Sequence, residues 1–211
     1  TAAASALAVR ALASVGSTRA AVLGAGRQGW AHVEMLAAEL PRLERLSIHG
    51  RRPEAAAALV SRARVAGIPA VHAVTTRDAI EDADIVVTIT ASPDPLFPAA
   101  WIGDGTLICA VGATKYDRSE IGDDVVERCA SVICDDVAGS RVECGDLIRA
   151  ASNGRFDWSD AIELHDVVAG NVTVARAGAA PVLFETQGVA IQDVAAAGLA
   201  YERSLISTRP N

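Results

Sequence analysis

Three glycines spaced as Gly24-Ala25-Gly26-Arg27-Gln28-Gly29 follow the apolar run Ala20-Ala21-Val22-Leu23. At a break between strand and helix, that spacing cradles a nucleotide pyrophosphate. The first glycine permits a tight turn, the second lets backbone N–H groups approach the phosphates, and the third lets the helix pack close to the strand. A second group, His49-Gly50-Arg51-Arg52-Pro53, falls at the end of the next expected strand. An acid there would hold a ribose 2′-hydroxyl, whereas guanidiniums make charge-assisted contacts to a 2′-phosphate. No acid occurs before Glu54, which should already lie on a helix, so the pattern favours NADP(H), with NAD(H) as the alternative. Arg51 and Arg52 also read as ordinary solvated turn residues.

These groups need strands, turns and helices to hold them, and the hydrophobic pattern supplies the set. An opening helix starts at Thr1, an N-cap residue type. Strands are expected over 20–23, 43–49, 71–74, 84–90, 106–111 and 131–134. Helices are expected over 28–39, 53–66, 76–81 and 120–128, with Pro53 in a first turn where its missing N–H costs nothing. This alternation predicts an α/β, doubly wound parallel sheet of Rossmann type, in the order 3-2-1-4-5-6, with ligand at the carboxyl edge of the strands. Beyond Asp135 the rhythm changes: 137–151 reads as one helix, 153–158 as a polar loop, and 182–188 as an apolar then small run leading into an alanine-rich helix to about Arg203. That tail need not belong to the sheet. The expectation is one dinucleotide-binding domain over 1–211, with 1–16 a linking helix and 180–211 a C-terminal helical segment returning toward a lobe outside this chain.

Such a fold assigns further positions. Thr88, Thr90 and Ala91, ending strand four, would lie beside the nicotinamide-side ribose, or else form a buried strand and its turn. Ala110, Val111, Gly112, Ala113 and Thr114 would edge the nicotinamide pocket, where small residues leave room for a ring, or else make only a tight turn. Acid–base candidates are sparse. His32, His49, His72 and His165 show no triad or metal spacing, and each reads as a surface or satisfied histidine. Lys115, the only lysine, is a solvated loop residue unless substrate approaches it, and Asp117 reads as a helix N-cap.

Composition bounds the rest. The chain is 51% hydrophobic but only 4% aromatic, so its core must come from Ala, Val, Leu and Ile, which suits helices on a parallel sheet. A net charge of −7 with no basic block leaves no electrostatic footprint for nucleic acid. Every apolar run is too short to span a bilayer. Cys109, Cys129, Cys134 and Cys144 form neither a CxxC pair nor a zinc spacing, and Cys109 and Cys134 read as buried reduced thiols, so no metal and a cytoplasmic setting are expected.

Over nearly its whole length the sequence resembles the ornithine cyclodeaminase/mu-crystallin family. The landmarks are Thr1-Ala2-Ala3-Ala4-Ser5-Ala6, the run from Gly24 to Gln28, Trp101 with its glycine turn, Ala110-Val111-Gly112-Ala113, Cys144-Gly145-Asp146-Leu147, and Leu183 through Asp193. The last is the most specific, because no generic Rossmann protein calls for it. The resemblance implies a further N-terminal lobe for substrate and for homodimer formation, carrying a lysine, and an arginine directly before Thr1 that grips the substrate carboxylate. It implies cofactor contacts at Arg27, Gln28, the strand-two edge, Thr90, Ile108–Val111 and Thr186, and substrate contacts at Gln187 and Gly188.

Two departures bear on activity. Ornithine cyclodeaminases place a catalytic aspartate where this chain has Thr114, and a hydroxyl cannot serve as a carboxylate base near neutral pH. They also carry an acid at the position of Gly50. The resemblance therefore implies an NADP(H)-dependent oxidoreductase reducing C=N bonds of imino acids such as Δ1-pyrroline-2-carboxylate or Δ1-piperideine-2-carboxylate. Thr114 would then orient water or the substrate nitrogen. The alternatives are an NAD-linked amino-acid dehydrogenase, a residual cyclodeaminase, or a crystallin-like protein that binds NADPH and a ligand without turnover.

Overall fold

A computed structural model describes residues 1–174 and 180–207; residues 208–211 of the expected return segment lie outside the described residues. The elements run α1 (Ala2–Leu12), β1 (Arg19–Leu23), α2 (Arg27–Glu39), β2 (Arg45–His49), α3 (Pro53–Val65), β3 (Ala70–His72), α4 (Thr76–Ile80) and β4 (Ile85–Thr88). They continue with β5 (Leu107–Ala110), α5 (Asp123–Arg128), β6 (Ser131–Cys134), α6 (Val137–Glu143), α7 (Gly145–Ser152), β7 (Ala161–Glu163), α8 (Leu164–Ala169), β8 (Val182–Glu185) and α9 (Ala190–Ser207). The eight strands form one sheet, and every pairing in it is parallel. The α/β doubly wound class is as expected.

A parallel sheet covered on both faces needs strands apolar on both sides, and successive residues supply opposite faces. Val22 and Ile85 belong to one core with α1, α2 and α3, while Ala21, Leu23 and Val86 belong to the other with α4, α5 and α7. The small residues expected of this composition let α1 lie close: Ala4, Ala8 and Leu12 are buried on its inner face. Ser5 sits on the same face, and its hydroxyl meets His32 Nε2 of α2 at 3.0 Å while His32 Nδ1 meets the Gln28 carbonyl at 2.9 Å. The carbonyl can only accept, so Nδ1 carries the proton and Nε2 accepts from Ser5. Burial lowers the pKa of His32, favouring its neutral form. His32 is thus a satisfied core histidine.

The strand order corrects the sequence expectation. Instead of 3-2-1-4-5-6 the order is β3-β2-β1-β4-β5-β8-β6-β7. Val182–Glu185, expected in a tail that need not join the sheet, is a fully buried strand between β5 and β6, and β7 adds the edge beyond β6. A four-residue apolar run carries no record of its neighbours, so periodicity alone could not give it a slot. The single helix expected over 137–151 is two, broken at Cys144. A side chain at Gly145 would collide with the carbonyl of Arg118, so α7 begins hard against the 115–118 loop. No described helix is long and apolar enough to cross a membrane. All four cysteines are free, and burial pushes the thiols of Cys109, Cys129 and Cys134 up to about 12.

Candidate functional site

The ends of β1, β2 and β4 open on a cleft of about 590 Å³. Of the residues singled out in the sequence, Gly24, Ala25, Gly26, His49, Gly50, Arg51, Arg52, Thr90 and Ala91 line it. Gly24 turns with φ of +131°, and a side chain there would strike the carbonyl of Ile89; one at Gly29 would strike the carbonyl of Gly24. Those two glycines are therefore required by the fold itself. Gly26 is different. It is exposed, has an ordinary extended backbone as the N-cap of α2, and no protein atom lies within 4 Å of where its Cβ would stand. Among the described residues nothing forbids a side chain at 26, so the space above it is open to a ligand approaching the backbone. Arg27 and Gln28 are exposed at the start of α2, where no side chain caps the first N–H groups.

Arg51 and Arg52 are exposed on the cleft rim, and among the described residues neither guanidinium has a hydrogen-bond or ion-pair partner. Gly50 faces inward: a Cβ there would stand 3.3 Å from the Ala25 methyl, so an acid at 50 would need Ala25 to give way. His49 bonds the Ala73 carbonyl through Nδ1 at 3.1 Å.

The other positions lie further along the same edge. Register aligns Leu23, Thr88, Ala110, Glu185 and Cys134 as the last residues of β1, β4, β5, β8 and β6. The turns after them carry Thr90, Gly112 and Thr186, and the Thr186 N–H returns to the Ala110 carbonyl at 3.1 Å. Thr88 and Thr186 point inward rather than to the edge. The Thr88 hydroxyl donates to Glu120 Oε2 at 2.8 Å and that of Thr186 to Asp135 Oδ2 at 2.5 Å. Ala110 and Val111 are buried walls, and Thr114 is exposed with its N–H on the Gly112 carbonyl at 2.9 Å. Gln187 is half-buried: Ser140 donates to its carbonyl oxygen at 2.7 Å, and its amide reaches Glu185 at 3.4 Å. Gly188 is exposed, and its N–H donates to Asp135 at 3.0 Å.

Four acids that organise this edge escaped the sequence reading. Residues 120–128 were expected to be helical, with Asp117 as a cap. Instead α5 starts at Asp123 behind Gly122, Asp117 is an exposed turn residue, and Glu120 turns inward. Its Oε1 accepts from the Thr90 N–H at 2.5 Å, and its Oε2 from the Gly112 N–H at 2.7 Å as well as from Thr88. Asp146 holds the preceding backbone, its Oδ1 accepting from the Ser119 hydroxyl at 2.7 Å, the Glu120 N–H at 2.8 Å and the Ile121 N–H at 3.0 Å. Glu185, the acid ending the apolar run Val182-Leu183-Phe184, is fully buried, and Asp135 gathers the 186–192 segment. An acid at or just after the end of an apolar strand was the signal available for Glu185 and Asp135; Glu120 and Asp146 each fell where a helix was expected, and nothing local marked them as turning inward.

Burial dominates the electrostatics here. It pushes Glu120 up to about 6 against the hydrogen bonds from Thr90, Thr88 and Gly112, and pushes Asp146 up to about 6 against those from Ser119, Ile121 and Glu120. Glu185 is raised well above its ordinary value by burial first, then by the charges of Asp146 and Glu120. Among the described residues, its Oε1 and Asp146 Oδ2 have no hydrogen-bond partner. Lys115 is an exposed loop residue, and His165 is exposed beside Glu163 and Asp166.

Comparison with known proteins identifies the family and matches the fold. The model of the ornithine cyclodeaminase/mu-crystallin family matches residues 1–208. A Δ1-pyrroline-2-carboxylate reductase of Burkholderia ambifaria is 40% identical over 197 residues, which cover 93% of this chain and 59% of that protein. A Δ1-pyrroline-2-carboxylate/Δ1-piperideine-2-carboxylate reductase of Azospirillum brasilense is 38% identical over the same proportions. Among solved structures, the Δ1-pyrroline-2-carboxylate reductase of Thermococcus litoralis, in complex with NADH and L-proline, superposes with a TM-score of 0.92 at 28% identity, covering 98% of this chain and 64% of that one. The chain thus spans about three fifths of the length of these relatives. With its Rossmann sheet and its landmarks in order, the chain belongs to the ornithine cyclodeaminase/mu-crystallin family.

Proposed function

We propose that this chain is the cofactor-holding part of a reductase that uses NAD(P)H, with NADP(H) preferred, to reduce the C=N bond of cyclic imino acids of the Δ1-pyrroline-2-carboxylate and Δ1-piperideine-2-carboxylate type. The observation that carries the reading is the cleft itself: a glycine turn open above Gly26, with two guanidiniums on its rim that have no partner among the described residues. When bound, the nicotinamide supplies the hydride. The chain's residues bind and orient. The backbone from Gly24 to Gly29, with Arg27 and Gln28 starting α2, receives the pyrophosphate, and Arg51 and Arg52 receive the 2′-phosphate. Thr90 and Ala91 border the second ribose, Thr88 supports them from beneath, and Ala110, Val111 and Gly112 form a small-residue wall for the ring. Thr186 stiffens the segment that presents Gln187 and Gly188 to substrate.

Thr114 stands where a cyclodeaminase carries an aspartate, which favours reduction over cyclising deamination. Its exposed hydroxyl is assigned to orienting water or the substrate nitrogen, and unchanged turnover in Thr114→Ala would remove that role. The exposed Ile191, Val194, Leu199, Tyr201 and Leu205 on α9 support a homodimeric enzyme in which α9, rather than the whole 180–211 segment, meets a further lobe. The deciding experiment follows loss of reduced-nicotinamide absorbance in the full-length protein. Consumption of NADPH that depends on added cyclic imine supports the reading, and tight NADPH binding without turnover would give the crystallin-like alternative instead.

A further inference from the structure

Glu120 is buried, carries a charge-bearing group, and stands between two turns that the proposed cofactor would meet. Where β4 and β5 end, the Ile89 and Val111 N–H groups still pair with neighbouring strands, at 2.9 Å to the Leu23 and Thr88 carbonyls. The next inward N–H groups, those of Thr90 and Gly112, find a carboxylate in place of a strand. One side chain therefore replaces the missing ladder partner of both strands and adds the Thr88 hydroxyl as a third donor. The fit is close: a Cβ at Gly112 would collide with both the Thr90 carbonyl and the Glu120 carboxylate. Asp146 in turn holds the Glu120 and Ile121 backbone, so α7 braces the clamp.

The clamp reaches only half of the site. The turns after β1 and β2 are held separately, by the Gly24 N–H on the His49 carbonyl at 2.9 Å and by His49 on Ala73. Glu120 also cannot reach a substrate, since it is fully buried and its oxygens are occupied by donors. We infer that Glu120 is a positioning residue for the nicotinamide half of the cofactor, setting the distance between the turns at Thr90 and Gly112 and leaving the adenine half untouched. This rests on the dinucleotide reading above.

Calorimetric titration of the full-length protein separates the two halves. Wild type, Glu120→Gln and Thr88→Val would each be titrated with NADPH, NADH and the adenine-side fragment 2′,5′-ADP. Glutamine keeps one acceptor oxygen and sets an NH2 group against a donor, releasing one turn. Affinity for the whole dinucleotide is expected to fall about tenfold or more in Glu120→Gln, the size of one hydrogen bond to a charged group. Affinity for 2′,5′-ADP should stay within about twofold, since its turns are untouched. Thr88→Val, which removes a single donor and keeps the shape, should lose a smaller factor in the same pattern, and it carries the test should Glu120→Gln not fold. Equal losses for dinucleotide and fragment would reduce Glu120 to a general structural role and overturn the inference, as would unchanged binding. If wild type bound the fragment and dinucleotides normally, the cofactor reading would survive that failure. A wild type that binds neither dinucleotide refutes the cofactor reading and this inference together.

Discussion

Alanine at Gly24 and at Gly26 should have opposite consequences, although the two glycines are two residues apart in one motif. At Gly24 the backbone sits at φ +131°, where an L-residue costs about 1–3 kcal/mol, and the new methyl meets the Ile89 carbonyl. Together these predict a loss of about 2–4 kcal/mol. For a chain of this size that lowers the melting temperature by roughly 5–15 °C. At Gly26, φ −90° and ψ −164° suit any residue, and no atom lies within 4 Å of the new methyl. The entropy removed from the unfolded chain, about 0.4–1 kcal/mol, offsets the weaker cap, so stability should stay within about 1 kcal/mol of wild type. Its cost should fall on the ligand. Losing one backbone hydrogen bond to a phosphate, about 1.5–3 kcal/mol, weakens dinucleotide binding roughly tenfold to a hundredfold. Thermal melts without ligand and fluorescence titration with NADPH read the two effects separately. A Gly26→Ala protein that binds NADPH as wild type does would refute the path of the pyrophosphate over α2. A Gly24→Ala protein with an unchanged melt would refute the close approach of β1 to β4.

Other perturbations test separate parts of the argument. Arg51→Asp should lower NADPH affinity about tenfold while leaving NADH within a few-fold, an exposed charge-assisted contact being worth of the order of 1 kcal/mol; competitive titration that finds equal effects would remove the 2′-phosphate role. Ser5→Ala strips His32 Nε2 of its donor inside the α1–α2 contact, and an unsatisfied buried acceptor costs about 1–3 kcal/mol, read as a lower urea midpoint with unchanged slope. The buried carboxyls make stability depend on pH in an unusual direction. Glu120 and Asp146 bind their protons more tightly when folded, so their contribution to stability is greatest below their ordinary values of 4.5 and 3.8 and is lost as pH rises through about 6, by roughly 2 kcal/mol for Glu120. Denaturation series across that window would disprove this if they showed stability flat or rising. Glu185→Gln removes a buried carboxyl whose pKa is raised in the fold, so it should be neutral to stability below the ordinary value of 4.5 and increasingly stabilising as pH rises above it.

Much of this protein was legible from residues close together in the chain. The glycine turn, Pro53 opening α3 and the aliphatic runs of β1, β4 and β5 each act within a few residues, where backbone sterics and side-chain alternation decide the outcome. Arg51 and Arg52 were found on the cleft rim for the same reason, since a strand end and a helix start bracket them. What tertiary structure alone decided is how distant pieces meet. Val182–Glu185 carries no local mark that assigns it to the gap between β5 and β6, because a buried parallel strand is chosen by the free edges on both sides of it. Glu120 likewise looked like the start of a helix, and its partners at Thr88 and Thr90 lie thirty or more residues away. A buried carboxylate takes its meaning from the donors around it. Those donors converge only once β4, β5 and α7 have assembled, which is why the motif announced a cleft at the strand ends but not the clamp beneath it.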